Sequence, residues 1–397
     1  MVSVERKQPL NEQEKYEDAQ QPVVEDSAFP DGVVIRLDAV TKDYGGVPAL
    51  RDVSLDVRRG EVLGLLGPTG CGKTVLLRLA AGLERVSRGE ITLGGVQVDS
   101  RGARRFVPPE SRNLGLLAHS HALWPHMTVF ENVSYGLRAR RMEANEVVER
   151  VSLALEQAGL PGYEQRRITT LAPHQKQRVA LARSLAYRPG LLLLDDPFRD
   201  LDGDMREQMR ADLKVLQRRL GASMIFATAD QTDALAVSDS LAIMDTGVIS
   251  QVGTPADLYR RPTTQAARDR LGRTVTFQAQ VSHREPGEII AVRLHDVSGP
   301  VLRVARRPAM GLSQGDWCTV TVRPEAIRAV HGADGGQANT VNGKVITLLF
   351  TGAGYEAVIG LPWDQNIPVR MPAEGQWREG QDIILHLPAE DLHVWPA

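Results

Sequence analysis

GPTGCGKTVLLRLAAGLE, Gly67–Glu84, decides the fold. Its first eight residues match the spacing G-x-x-x-x-G-K-[ST], follow the apolar run EVLGLL and open a helical stretch that Gly82 stops. Glycines at Gly67, Gly70 and Gly72 let consecutive backbone N–H groups curl around phosphate oxygens. Pro68, Thr69 and Cys71 complete the loop, with Cys71 read as an ordinary loop residue. The helix N-terminus adds favourable partial charge. On this pattern Lys73 reaches the β- and γ-phosphates of a nucleoside triphosphate, and the Thr74 hydroxyl binds Mg²⁺.

LLLLDD, Leu191–Asp196, reads as a buried parallel strand with two carboxylates at its C-terminal edge. That edge is where open α/β sheets bind ligands, so Asp195 is the expected Mg²⁺ partner, directly or through water. VVIRLDAV (33–40), SLDV, EVLGLL, SMIFAT and LAIMD read as strands. Between them KTVLLRLAA, residues 127–165, a stretch around 203–220 and DQTDALAVS read as helices. The alternation predicts an α/β domain with a largely parallel sheet.

Near residue 275 the pattern changes. FQAQVSH, EIIAVRLHD, VLRVARR, WCTVTVRP, NGKVITLLF, YEAVIGL, IPVRMP and DIILHLP are short strands parted by Gly, Pro and polar turns. They predict a small all-β barrel, which HGADGGQA (331–338) divides into two halves. The expected organisation is a disordered polar lead over 1–32, an ATP-binding domain over 33–272 with a helical subdomain near 118–185, and a β domain over 273–397.

Bulk properties exclude several classes. A formal charge of −2 gives no electrostatic footprint for nucleic acid. Two distant cysteines, Cys71 and Cys318, are no disulfide framework and fit a reducing compartment. No run of about 18 apolar residues exists, so no membrane-spanning helix is expected. The polar beginning of the chain has no signal-peptide core. A membrane role therefore needs separate membrane subunits.

These motifs, with TKDYGG, VPPESRNLG, ALWPHMTVFENVSYGL, QRVALARSLAYRPGLLLLDDP, GTPADLYRRP and VRPEAI, resemble the ATP-binding subunits of ABC importers over about residues 33–397. The nearest likeness is to importers of sugars, polyamines and ferric iron. The resemblance implies a P-loop NTPase domain of ABC type followed by a TOBE domain, an OB-like barrel. It implies ATP and Mg²⁺ as ligands, with Tyr44 stacking on adenine. It also implies integral membrane permease subunits as partners, docked on residues 118–132, and an extracytoplasmic binding protein indirectly. The chain is then peripheral, on the cytoplasmic face of the cell membrane. Such subunits dimerise, with each ATP held between one phosphate loop and the opposite subunit's signature, normally L-S-G-G-Q.

Here the signature is Leu171, Ala172, Pro173, His174 and Gln175. Ala172 lacks the hydroxyl that meets the opposite γ-phosphate, Pro173 lacks a backbone N–H, and His174 is bulky where backbone approaches closely. Proline still suits the first helical turn, so the helix is expected to form. The family's water-polarising glutamate is Asp196, about 1.5 Å shorter in reach. The histidine after SMIFAT is Ala229, which can neither contact the γ-phosphate nor orient water. The glutamine that senses Mg²⁺ and water aligns with His119, which cannot copy an amide. His119, His121 and His126 raise a metal-site alternative, although no cysteine or acidic set completes it. FRDLD (198–202) replaces the usual S-A-L-D and puts Arg199 and Asp200 at the dimer seam.

The residues that hold ATP are intact and those that cut it are eroded. Binding and catalysis use different contacts. The expectation is MgATP binding with weak or no hydrolysis, and a heterodimer with an intact ATPase subunit rather than a homodimer. Two alternatives remain: a fully active homodimer, and a regulatory subunit using ATP only as a dimerisation ligand.

Overall fold

The computed structural model describes residues 32–118, 122–285, 289–295, 299–305, 311–330 and 338–396. The chain divides after Arg270 into two compact units. In the first, β1 (Val33–Tyr44) and β2 (Val47–Arg58) precede β3 (Val62–Leu66), and α1 (Lys73–Ala81) follows the phosphate loop. Next come β4 (Arg88–Leu93), β5 (Val96–Ser100), β6 (Arg105–Phe106) and β7 (Leu114–Leu117). Three helices follow: α2 (Val129–Ala139), α3 (Ala144–Gln157) and α4 (Pro173–Leu185). The unit ends with β8 (Leu191–Asp195), α5 (Gly203–Leu220), β9 (Ser223–Thr228), α6 (Gln231–Val237), β10 (Ser240–Asp245), β11 (Val248–Gly253), α7 (Pro255–Arg260) and α8 (Gln265–Arg270).

Among the described residues, a six-stranded sheet runs β11-β10-β3-β9-β8-β7, parallel apart from β11. Its central strands VLGLL, LLLLD and SMIFAT are buried at every position, as expected when helices cover both faces. Alternation along β8 sends Leu191 and Leu193 to one face, where they join Leu76, Leu77 and Leu79 of α1 and Ile35 and Val53 of the β1–β2 hairpin. Leu192 and Leu194 face the other way, into Val133, Leu137, Val151, Val179 and Leu213 of α2–α5. The helical segment thus shares its core with the sheet. A second, antiparallel sheet runs β2-β1-β4-β5-β6.

The parallel sheet meets expectation, and two details differ. RGEITLGGVQVDS forms a hairpin, β4–β5, turned by Gly94 and Gly95 at positive φ. Residues 127–165 contain two helices separated at Arg140–Glu143 and followed by a loop. α2 starts with a full capping box, Thr128 and Glu131 each accepting from the other's backbone N–H.

The second unit holds β12 (Val275–Glu285), β13 (Ile289–Leu294), β14 (Val301–Ala305), β15 (Trp317–Val322), β16 (Arg328–Val330), β17 (Thr340–Phe350), β18 (Gly354–Gly360), β19 (Asn366–Pro372), β20 (Asp382–His386) and β21 (His393–Pro396). Two antiparallel sheets result, β14-β13-β12-β15-β21 and β16-β20-β17-β18-β19. Each borrows a strand from across 331–338: β21 joins the first sheet and β16 the second. One hydrophobic cluster, from Phe277 and Val292 to Ile359 and Leu385, spans both. The sequence halves are therefore interleaved around one core rather than separate subdomains.

Candidate nucleotide site

The site is built where β3, β8 and β9 end. Gly67 follows β3 directly. A Cβ there would lie 2.3 Å from the Met244 carbonyl oxygen and 2.6 Å from Cys71 Sγ, so only glycine fits. Gly72, at φ 105°, is closed in similarly by the Ala49 carbonyl oxygen at 2.8 Å. The loop is thus pressed against its floor at Gly67 and Gly72. Cys71 forms part of that floor: it is 4 % exposed, and burial pushes its thiol up. The sequence alone gave it no such packing role. Lys73 Nζ donates to the carbonyls of Gly67 (2.6 Å) and Pro68 (2.9 Å), which places the ammonium across the loop.

Thr74 Oγ1 donates to Asp195 Oδ1 at 3.1 Å. One bond joins the first turn of α1 to the tip of β8, residues 121 apart in sequence. A hydroxyl and a carboxylate side by side are hard oxygen ligands of the kind Mg²⁺ takes, usually together with phosphate oxygens. The residues present therefore fit MgATP: a loop closed to a Cβ at Gly67 and Gly72, a cation across it and a paired hydroxyl and carboxylate at its edge. At the end of β1 the Tyr44 ring is half exposed, and its hydroxyl donates to Glu84.

With this geometry, residues 50–199 match the ABC transporter family and residues 320–395 the TOBE domain. The spermidine/putrescine import ATP-binding protein PotA of Acetivibrio thermocellus is 35 % identical over 366 residues, covering 91 % of this chain and 96 % of the relative. PotA of Marinobacter nauticus is 38 % identical, covering 90 % and 97 %. The sulfate/thiosulfate import ATP-binding protein CysA 2 of Chromobacterium violaceum is 38 % identical, covering 90 % and 94 %. The chain belongs to the ATP-binding subunits of ABC importers. Among solved structures, cbiO1 from Clostridium perfringens, part of an ABC transporter complex, matches with TM-score 0.53 at 26 % identity over 58 % of this chain and 92 % of its own. A dimeric bacterial ABC transporter cassette matches with TM-score 0.50 at 27 % identity over 56 % and 98 %. The family binds ATP, typically with Mg²⁺. No described helix is long and apolar enough to cross a membrane.

The other candidate site residues sit on well-bonded backbone. Asp196 follows Asp195 in a left-handed conformation, φ 54°, and its N–H donates to the Ala227 carbonyl at 2.9 Å. That bond ties the end of β8 to β9 whatever side chain is present. Ala229 lies exposed just past β9. The next residue, Asp230, caps α6 by accepting from the N–H groups of Thr232 (2.7 Å) and Asp233 (3.0 Å). The turn is therefore held in shape, and only the side chain at its tip is an alanine.

The signature is likewise formed as structure. Leu171 is buried. Ala172 occupies the N-cap of α4, Pro173 its first position, and Gln175 Oε1 accepts from the Ala172 N–H at 3.1 Å. This is half of a capping box, since alanine has no oxygen to return the bond. His174 is half-buried. In the stretch 198–202, Phe198 is buried edge-on against Phe226 with ring centres 6.0 Å apart. Arg199 and Asp200, 3.7 Å apart, are both exposed.

His119 and His121 lie outside the described residues, and His126 is exposed. Among the described residues no three His, Cys, Asp or Glu side chains are grouped to hold a metal ion. Trp124 is fastened by Asn132, whose side chain bonds its N–H and C=O at 2.9 and 3.1 Å. Sequence reasoning missed one buried cluster: Asp233 accepts from Arg206 at 2.7 Å and Arg210 at 2.9 Å. Two arginines one helical turn apart on α5 were its only signal. They pin α5, which follows Asp196, to α6, which follows Ala229.

Proposed function

We propose that this chain binds MgATP as the energy-coupling subunit of a small-solute importer, hydrolyses it weakly or not at all, and works opposite an intact ATPase subunit. Support comes from one contrast. Lys73 spans the phosphate loop and Thr74 is bonded to Asp195, while Ala229 and Ala172 carry no functional group on otherwise complete turns.

In this reading Tyr44 meets the adenine, Gly67–Thr74 wrap the phosphates, and Lys73 leaves the loop carbonyls for the β- and γ-phosphate oxygens. Thr74 and Asp195 hold Mg²⁺, which when bound neutralises charge on the phosphates. Asp196 is then the available base, short of the attacking water by about 1.5 Å of side chain. Such a misplacement can cost ~10²-fold in rate. The absent imidazole at Ala229 costs a further ~10²–10³-fold, as the loss of one preorganised group does.

A homodimer would repeat every defect in both sites. Opposite an intact partner the sites become unequal. ATP on this chain meets a complete signature but lacks the histidine. ATP on the partner keeps its own base and histidine but faces Ala172, Pro173 and His174. Residual turnover belongs to the second site. Residues 122–132, with Trp124 pinned by Asn132, are the proposed contact for permease subunits at the cytoplasmic face of the membrane. Relatives named for spermidine/putrescine and for sulfate/thiosulfate are about equally similar. The cargo is accordingly assigned only as a small solute.

The test is phosphate release by the purified chain at saturating MgATP, with nucleotide affinity measured in the same preparation. Micromolar to millimolar affinity with turnover far below about 1 s⁻¹, the low end for enzymes, is expected. Brisk turnover by the chain alone would establish an active homodimer instead.

A further inference from the structure

We infer that Glu84 is a positioning residue for nucleotide selection: its carboxylate clamps the Tyr44 hydroxyl and, through Arg78, ties the base-holding ring to the phosphate-holding helix. The inference rests on the reading that Tyr44 meets adenine.

Glu84 sits where the chain leaves α1. The helix ends in a Schellman turn: Gly82 adopts φ 77°, its N–H donates to Leu79 O (3.1 Å), and the Leu83 N–H donates to Arg78 O (2.9 Å). The turn delivers the Glu84 carboxylate beside the helix C-terminus, where a negative charge is disfavoured. Two cations compensate. Arg78 Nε lies 2.9 Å from Oε1, and Lys42 Nζ lies 3.4 Å from Oε2. The carboxylate is largely shielded, its side chain 15 % exposed. Oε2 also accepts the Tyr44 hydroxyl. Burial and the carboxylate raise that phenol to about 12, so it stays a donor at every physiological pH.

The ring gains a defined orientation from this. A tyrosine at a half-exposed turn position is free to swing about its χ angles. Anchoring its hydroxyl fixes the ring plane. Lys42 lies over one face, 4.8 Å from the centroid. The opposite face is left for a base to stack on, and the ring becomes the middle layer between cation and base. Because Arg78 belongs to α1, whose first turn carries Lys73 and Thr74, ring and phosphate loop are held to one rigid element.

The experiment compares the affinity of the purified chain for ATP and for inorganic tripolyphosphate, which has no base. Glu84→Ala is expected to weaken ATP binding about five- to tenfold, the scale of one net hydrogen bond, and to leave tripolyphosphate within about twofold. Glu84→Gln, whose amide oxygen can still accept, is expected to restore most of the loss. Tyr44→Phe keeps the ring and removes the bond, and is expected to match Glu84→Ala. Combining the two is expected to add nothing, which a merely structural role of Glu84 would not produce. If Glu84→Ala does not fold, Tyr44→Phe alone decides, since it removes one atom at a half-exposed position. Unchanged ATP affinity in Tyr44→Phe, with a loss in Tyr44→Ala, overturns the clamp and leaves the adenine contact standing. Unchanged affinity in Tyr44→Ala overturns the adenine contact itself. Equal losses for ATP and tripolyphosphate in Glu84→Ala would overturn the positioning role.

Discussion

Two regions of the candidate site contrast: one at the ends of β3 and β8, the other on the turns after β8 and β9 and at the start of α4. In the first, around Gly67–Thr74, side-chain chemistry and backbone geometry agree. Gly67 and Gly72 sit where a Cβ would collide, and Thr74 touches Asp195. In the second, around Asp196, Ala229 and Ala172, the backbone is equally well made. Asp196 is tied to Ala227, Asp230 caps α6, and Gln175 supports the start of α4. On the proposed reading, what differs is the reach and identity of side chains on that backbone, and the turns outlast the catalytic groups because main-chain bonds and neighbouring caps hold them.

That contrast can be attacked from either side. The largest effect should come from restoring the second region. Asp196→Glu with Ala229→His returns reach and imidazole to turns that already exist, and turnover at saturating MgATP is expected to rise by ~10³-fold or more. No gain would mean that the lost groups are not what limits this chain. Next, Lys73→Ala strikes the first region. The ammonium's contacts with phosphate are charge-assisted, so ATP affinity measured by calorimetry should fall by ~10–10²-fold. The smallest effect is at the signature. Ala172→Ser supplies the missing oxygen at the N-cap of α4, and the chain should gain about 1 kcal/mol, read as a higher thermal midpoint. A loss of stability there would show that the hydroxyl cannot reach the first turn.

The first region was legible in sequence because its residue types have few other uses. Gly67 and Gly72 answer steric demands, and a lysine and a hydroxyl follow at fixed offsets from a strand. The α/β alternation and the switch near residue 275 to short strands were legible for the same reason: periodicity records which faces are buried. Pairings between distant residues were not. Nothing in RGEITLGGVQVDS announces that its hairpin joins β1. Nothing in the β unit announces that β21 leaves its sequence half for the other sheet. Such pairings are set by closure of a common core. The floor role of Cys71, the Arg206–Asp233–Arg210 cluster and the Glu84–Tyr44 bond were hidden similarly, each joining residues whose proximity only the tertiary fold creates.

The most direct measurement sets nucleotide binding against phosphate release on one preparation of the unmodified chain, with Lys73→Ala alongside. Saturable MgATP binding, lost in that variant, with release close to the background of the variant, is the result expected. Release well above that background from the chain alone, or no saturable binding, would contradict a site that grips ATP without cutting it.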